Sequence, residues 1–144
     1  VLLTEGDKMI KTPTYHVMHM YRHHQDADLL ESTLTGTGEI GIGEWKVPNV
    51  TESVSMDKEG IITITLNNLS VEAAETVEIQ FAGNGYRVTE ANIVTGKNMR
   101  DHNTFEAPET VVEQAFSDYK ETSETIAVTL PVNSVVELRV SKVK

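Results

Sequence analysis

The chain has 144 residues, the size of a single domain, and its 39% hydrophobic content is enough for a packed core and too high for a disordered segment. Twelve Lys and Arg against 22 Asp and Glu leave a formal net charge of -10, which argues against nucleic acid or an anionic membrane as partner. No stretch approaches the roughly 18 apolar residues of a membrane span, and the absence of cysteine excludes disulfides, thiolate nucleophiles and sulfur-ligated zinc. No signal peptide is visible, which leaves the compartment open. A start at Val1 without an initiating Met suggests a piece of something longer.

Residues 1–26 carry three basic and three acidic side chains, so the whole net charge lies in residues 27–144. This shift predicts two parts with a boundary near Asp26. The opening reads as a short hairpin, with residues 1–4 and 8–11 flanking a turn in which Gly6 takes positive φ. Residues 12–26 then read as a helix with Thr12 as its cap and Pro13 in the first turn. At about 100° per residue, Thr14, Val17, Met18, Met20 and Tyr21 share one side, and His16, His19, His23 and Asp26 share the other. A helix this short is marginal alone and must dock on something, either back on the rest of the chain or on a neighbouring copy.

Beyond Asp28 the hydrophobic period becomes two. Val50, Val54 and Met56 alternate with Thr51, Ser53 and Ser55 before a turn at 57–60. Ile62, Ile64 and Leu66 alternate with Thr63 and Thr65, and Val77, Ile79 and Phe81 with Glu78 and Gln80. A strand follows over 86–95, and near the end Ile126, Val128 and Leu130 form one face before a last strand at 135–140. Residues 28–49 and 96–122 give no clear pattern, and the glycines of GTGEIGIG at 36–43 mark a flexible or tightly turning insertion. The fold expected is all-β: a two-sheet antiparallel sandwich preceded by the hairpin and one amphipathic helix.

Several constellations could carry chemistry. His16, His19 and His23 at i, i+3 and i+7, with Asp26 one turn on, form a stripe that could hold Zn or Ni. The HExxH pattern is absent, so a packed polar helix face is the plainer reading and no metal or cofactor is assigned. His24 sits nearer the apolar edge, placed to hydrogen-bond across an interface. No GxSxG elbow and no phosphate loop is present. The acidic residues, among them Glu78, Glu106, Glu109 and Glu137, fall in turns or on the solvent phase of strands, so no glycosidase pair is assigned. Trp45, Tyr86 and Tyr119 are the candidates for stacking on a sugar ring. The tripeptides Asn49-Val50-Thr51 and Asn68-Leu69-Ser70 match the glycan-acceptor pattern.

The helix segment TEGDKMIKTPTYHVMHMYRHHQDA at 4–27 resembles the end of the catalytic domain in α-L-arabinofuranosidases of glycoside hydrolase family fifty-one. SVSMDKEGIITITLNNL at 53–69, HNTFEAPETV at 102–111 and TIAVTLPVNSVVELRV at 125–140 resemble the β domain that follows it in those enzymes. Met18 stands where the family usually has Phe, and Glu113–Gln114 replaces a proline-containing step.

The resemblance implies that residues 1–26 are the remnant of a (β/α)8 catalytic barrel and that 27–144 form a jelly-roll-like accessory domain. It implies a retaining parent that releases terminal α-L-arabinofuranosyl groups from arabinan or arabinoxylan, using two glutamates upstream of residue 1. The chain alone is then expected to be inactive, with no catalytic residue of its own. Its partners would be its own barrel and further copies of the parent, and its sandwich would take strands from the start of the full chain. An autonomous carbohydrate-binding module is the alternative reading, and a His-face metal-binding module is another.

Overall fold

The computed structural model describes residues 1–143. The chain opens with a hairpin, β1 (Leu2–Glu5) and β2 (Lys8–Lys11), whose two-residue loop begins at Gly6 with φ 61°. The helix α1 covers Pro13–Tyr21 and tightens into a 3-10 turn at Arg22–His24. Pro13 occupies the first turn as expected, but the Thr12 hydroxyl donates to the Val1 carbonyl at 2.8 Å instead of capping the helix. Asp26, at φ 58°, ends the helical segment.

The rest is β structure: β3 (Asp28–Leu29), β4 (Glu39–Ile42), β5 (Trp45–Pro48), β6 (Val50–Met56), β7 (Ile62–Asn68), β8 (Glu75–Gln80) and β9 (Tyr86–Thr95). β10 (Glu113–Ala115), β11 (Tyr119–Glu121), β12 (Thr125–Leu130) and β13 (Ser134–Lys142) complete it. All strand pairs are antiparallel. One sheet has six strands in the order β10-β9-β13-β7-β6-β3, and a second has three in the order β11-β12-β8. The β1–β2 and β4–β5 hairpins stand as separate sheets. The arrangement is sandwich-like, but four sheets replace the two expected, because the second layer stops at three strands and two hairpins pair only with themselves.

The period-two faces explain the core. Ile62, Ile64 and Leu66 of β7 and Val136, Leu138 and Val140 of β13 point inward onto Ile126, Val128 and Leu130 of β12. Their neighbours in sequence face the other side of the large sheet, where Thr63, Thr65, Glu137 and Arg139 are polar and Val135 is apolar. The structure nevertheless buries that outer side at its centre: Thr63, Thr65 and Glu137 are all 1% exposed or less.

The helix is what covers it. Met20 is fully buried against Val94 and Val111, with Val17 and Val135 beside it. The helix thus folds back on the strands of its own chain, while Met18 stays 59% exposed. Asn103 ties the hairpin to this corner: its side-chain amide donates to the Lys11 and Val111 carbonyls, and its carbonyl accepts from the Val111 amide. Removing the central plug should free the helix. Met20→Ala is expected to cost about 2–4 kcal/mol, read as a lower denaturation midpoint in urea.

Candidate functional site

The helix end brings four side chains onto the outer face of the large sheet. His23 Nδ1 donates to Glu137 Oε1 at 2.7 Å. His24 reaches two hydroxyls, with Nδ1 2.7 Å from Ser55 Oγ and Nε2 2.7 Å from Thr65 Oγ1. Tyr21 accepts at its hydroxyl from the Asn67 side-chain amide at 3.2 Å, and the same amide donates to Thr51 Oγ1. Further along, His19 Nδ1 donates to Glu113 Oε2 at 2.7 Å. Each partner strand supplies its contact from the outward phase, so the alternation that builds the core also builds this polar seam.

The stripe of possible metal ligands is therefore split. His19 and His23 are held by different carboxylates on different strands, Glu113 on β10 and Glu137 on β13. His16 does not join them and has no hydrogen-bond partner at Nε2 among the described residues, and Asp26 is exposed beyond the 3-10 turn. Among the described residues no group of three or more His, Asp or Glu is placed to hold a metal ion. His24 does bond across an interface, between helix and sheet.

One acidic residue departs from expectation. Glu137 lies on the outward phase of β13, yet it is fully buried because the 3-10 turn sits above it. Its second carboxylate oxygen has no hydrogen-bond partner among the described residues. A signal for this exists in SVVELRV, where Glu137 is flanked by Val136 and Leu138 and shares its outward phase with Val135 as well as with Arg139. Strand periodicity alone assigns such a residue to solvent because it contains nothing about the layer above.

The three aromatic candidates occupy different environments. Tyr86 stacks on Phe81 with ring centroids 4.3 Å apart at the margin of the core. Tyr119 packs beside Phe116, also against the core. Trp45 alone stands out, 88% exposed near the tip of the β4–β5 hairpin. A groove of about 390 Å3 opens into the core between residues 30–34 and β8, lined by Leu30, Leu34, Ile64, Val77, Ile79 and Phe81. It exists because β8 pairs with β12 on one edge only.

Two histidines of the helical segment have lowered pKa values. Burial lowers the pKa of His24, and neighbouring His23 lowers it further. Burial also lowers that of His16, helped by Lys11 and His19 and opposed by Glu113 and Glu109. A depressed folded-state pKa means that the folded chain binds fewer protons than the unfolded chain. The contribution is complete above the unfolded value near 6.5 and is lost as pH falls through the lowered folded values. The thermal midpoint should therefore decline as pH falls from about 6.5 toward 5, with a shallower decline in His24→Gln, checked by calorimetry from pH 8 to pH 5.

Comparison with known proteins agrees with this architecture. The family described as the α-L-arabinofuranosidase C-terminal domain matches residues 1–134. An intracellular exo-α-L-arabinofuranosidase of Bacteroides ovatus is 33% identical over 138 residues, which is 96% of this chain and 27% of that protein. The crystal structure of a family 51 arabinofuranosidase from Xanthomonas axonopodis pv. citri superposes with a TM-score of 0.90 at 37% identity, covering 97% of this chain and 28% of that one. A family 51 α-L-arabinofuranosidase from Bifidobacterium longum shares the fold at a TM-score of 0.84 and 19% identity, covering 96% and 28%. The chain thus spans little more than a quarter of these relatives. It belongs to the family of α-L-arabinofuranosidase C-terminal domains.

Proposed function

We propose that the chain is the non-catalytic C-terminal part of an α-L-arabinofuranosidase, serving to complete and stabilise a catalytic barrel. On this reading, residues 1–26 are the last hairpin and helix of the barrel and 27–144 a jelly-roll-like accessory domain. The observation that carries it is the distribution of exposed apolar side chains in the first segment. Val1, Leu2, Leu3, Met9 and Met18 are each 47–59% exposed, all within the hairpin and helix segment. Apolar side chains left exposed at this density on one short segment are expected where a larger body of protein packs.

The half-open second layer supports the same reading. The free edge of β8 and the apolar groove beside it fit an added strand, as the family resemblance implies for the start of the full chain. The parent would release terminal arabinofuranosyl groups from arabinan or arabinoxylan by a retaining mechanism, with both glutamates outside these residues, and would assemble with further copies of itself. The alternative, an autonomous carbohydrate-binding module, has the exposed Trp45 ring in its favour. That reading requires saturable binding of arabinan or xylan by calorimetry, lost in Trp45→Ala.

The direct test is hydrolysis of an aryl α-L-arabinofuranoside by the isolated chain and by the full-length enzyme. The full-length enzyme should turn over and the isolated chain should not. Turnover by the isolated chain that one substitution within it abolishes would overturn the proposal.

A further inference from the structure

The β4–β5 hairpin is a two-stranded finger with one apolar face. Its register pairs Ile40 with Val47 and Ile42 with Trp45, and strand alternation puts all four side chains on the same side. Gly43, at φ 60°, opens a two-residue loop with Glu44, the position where a tight hairpin turn calls for glycine. A Cβ on Gly41 would run into the Trp45 carbonyl oxygen, so the close approach of the two strands depends on glycine there as well. The base is clamped: the Asn49 amide donates to the Gly38 carbonyl at 3.0 Å, and the buried Asn49 side chain donates to Glu75 at the start of β8 at 2.6 Å.

The finger nevertheless leaves its apolar face largely in water. Ile42 is 87% exposed, Trp45 88% and Val47 50%. A two-stranded hairpin is marginal without a surface to pack on. We propose that this face docks on the catalytic portion of the same polypeptide, a contact separate from the one made by the hairpin and helix of residues 1–26. The inference rests on the reading given under Proposed function.

Area and chemistry select that occupant. One indole and three aliphatic side chains offer about 400 Å2, roughly half of the ~800 Å2 per partner that a standard stable complex buries. A freely diffusing second copy held by this face alone would bind weakly. A covalently attached domain meets it at an effective concentration on the order of millimolar and needs no larger contact. A saccharide is disfavoured because Ile40, Ile42 and Val47 offer its hydroxyls no hydrogen bonds, and sugar sites need convergent polar groups beside the ring. The charged residues of the hairpin strands, Glu39 and Lys46, belong to the opposite face.

The test places the photo-crosslinker p-benzoylphenylalanine at position 45 of the full-length enzyme, followed by irradiation, denaturing electrophoresis and peptide mapping. Crosslinks to residues outside 1–144 at monomer mobility are expected. A crosslinked dimer, or no crosslink to protein, would overturn the inference while leaving the inactivity of the isolated chain as a separate question. Ile42→Ser supplies a second readout. It should lower the thermal midpoint of the full-length enzyme by several degrees and move that of the isolated chain by about one degree or less. Equal shifts in both would count against docking. Trp45 is the sole tryptophan of the chain, so its fluorescence reports directly on sugar. A saturable blue shift with arabino-oligosaccharides in the isolated chain would overturn the inference in favour of a sugar platform.

Discussion

The structure depends on the fact that the two central strands of the large sheet, β7 and β13, are buried on both faces. Their inner sides are apolar and need only the three-stranded layer opposite. Their outer sides carry Thr63, Thr65 and Glu137, and polar groups removed from water must find hydrogen-bond partners or cost stability. The 3-10 turn that follows α1 supplies partners to one Glu137 oxygen and to Thr65 through His23 and His24, and Met20 seals the contact. The near-neutral first segment and the acidic sandwich differ in composition but share a boundary that neither could bury alone.

That boundary explains how much was legible in the sequence. The inward alternation of Ile62, Ile64 and Leu66, or of Ile126, Val128 and Leu130, reports burial by a neighbouring sheet, and it was readable because the signal is local and repeats every second residue. The turn at 57–60 was readable for a similar reason: Asp57 accepts from the amides of Glu59 and Ile61, and Gly60 takes φ 82°. The burial of Glu137 was not readable, because it depends on a helix more than a hundred residues away. Likewise the histidine stripe looked like a ligand set on a helical wheel, which shows the angle between side chains but not which strand lies opposite each one.

The stretch 36–43 shows a different limit. Its glycines mark a flexible or tightly turning insertion, and the structure takes the second alternative, a tight hairpin; the alternation of Ile40 and Ile42 with Trp45 and Val47 is hard to read because each strand is only four residues long. The glycines serve shape, one in the loop and one where the strands press together. The unpatterned 96–122 region likewise contains two three-residue strands, β10 and β11, each too short to show a period. Family resemblance compensated where periodicity failed, since HNTFEAPETV carries Asn103, whose amide joins the loop to the hairpin strand.

Asn68 carries one further consequence. Its side-chain nitrogen donates to the carbonyls of Ala73, Leu130 and Pro131 in a site 1% exposed, and Asn49 is 5% exposed. An oligosaccharide attached to the Asn68 nitrogen would leave it one hydrogen and would have nowhere to go, so modification there and the native fold exclude each other. A eukaryotic secretory pathway attaches such chains before folding is complete, and material made by that route would divide into native molecules and ones barred from the native fold.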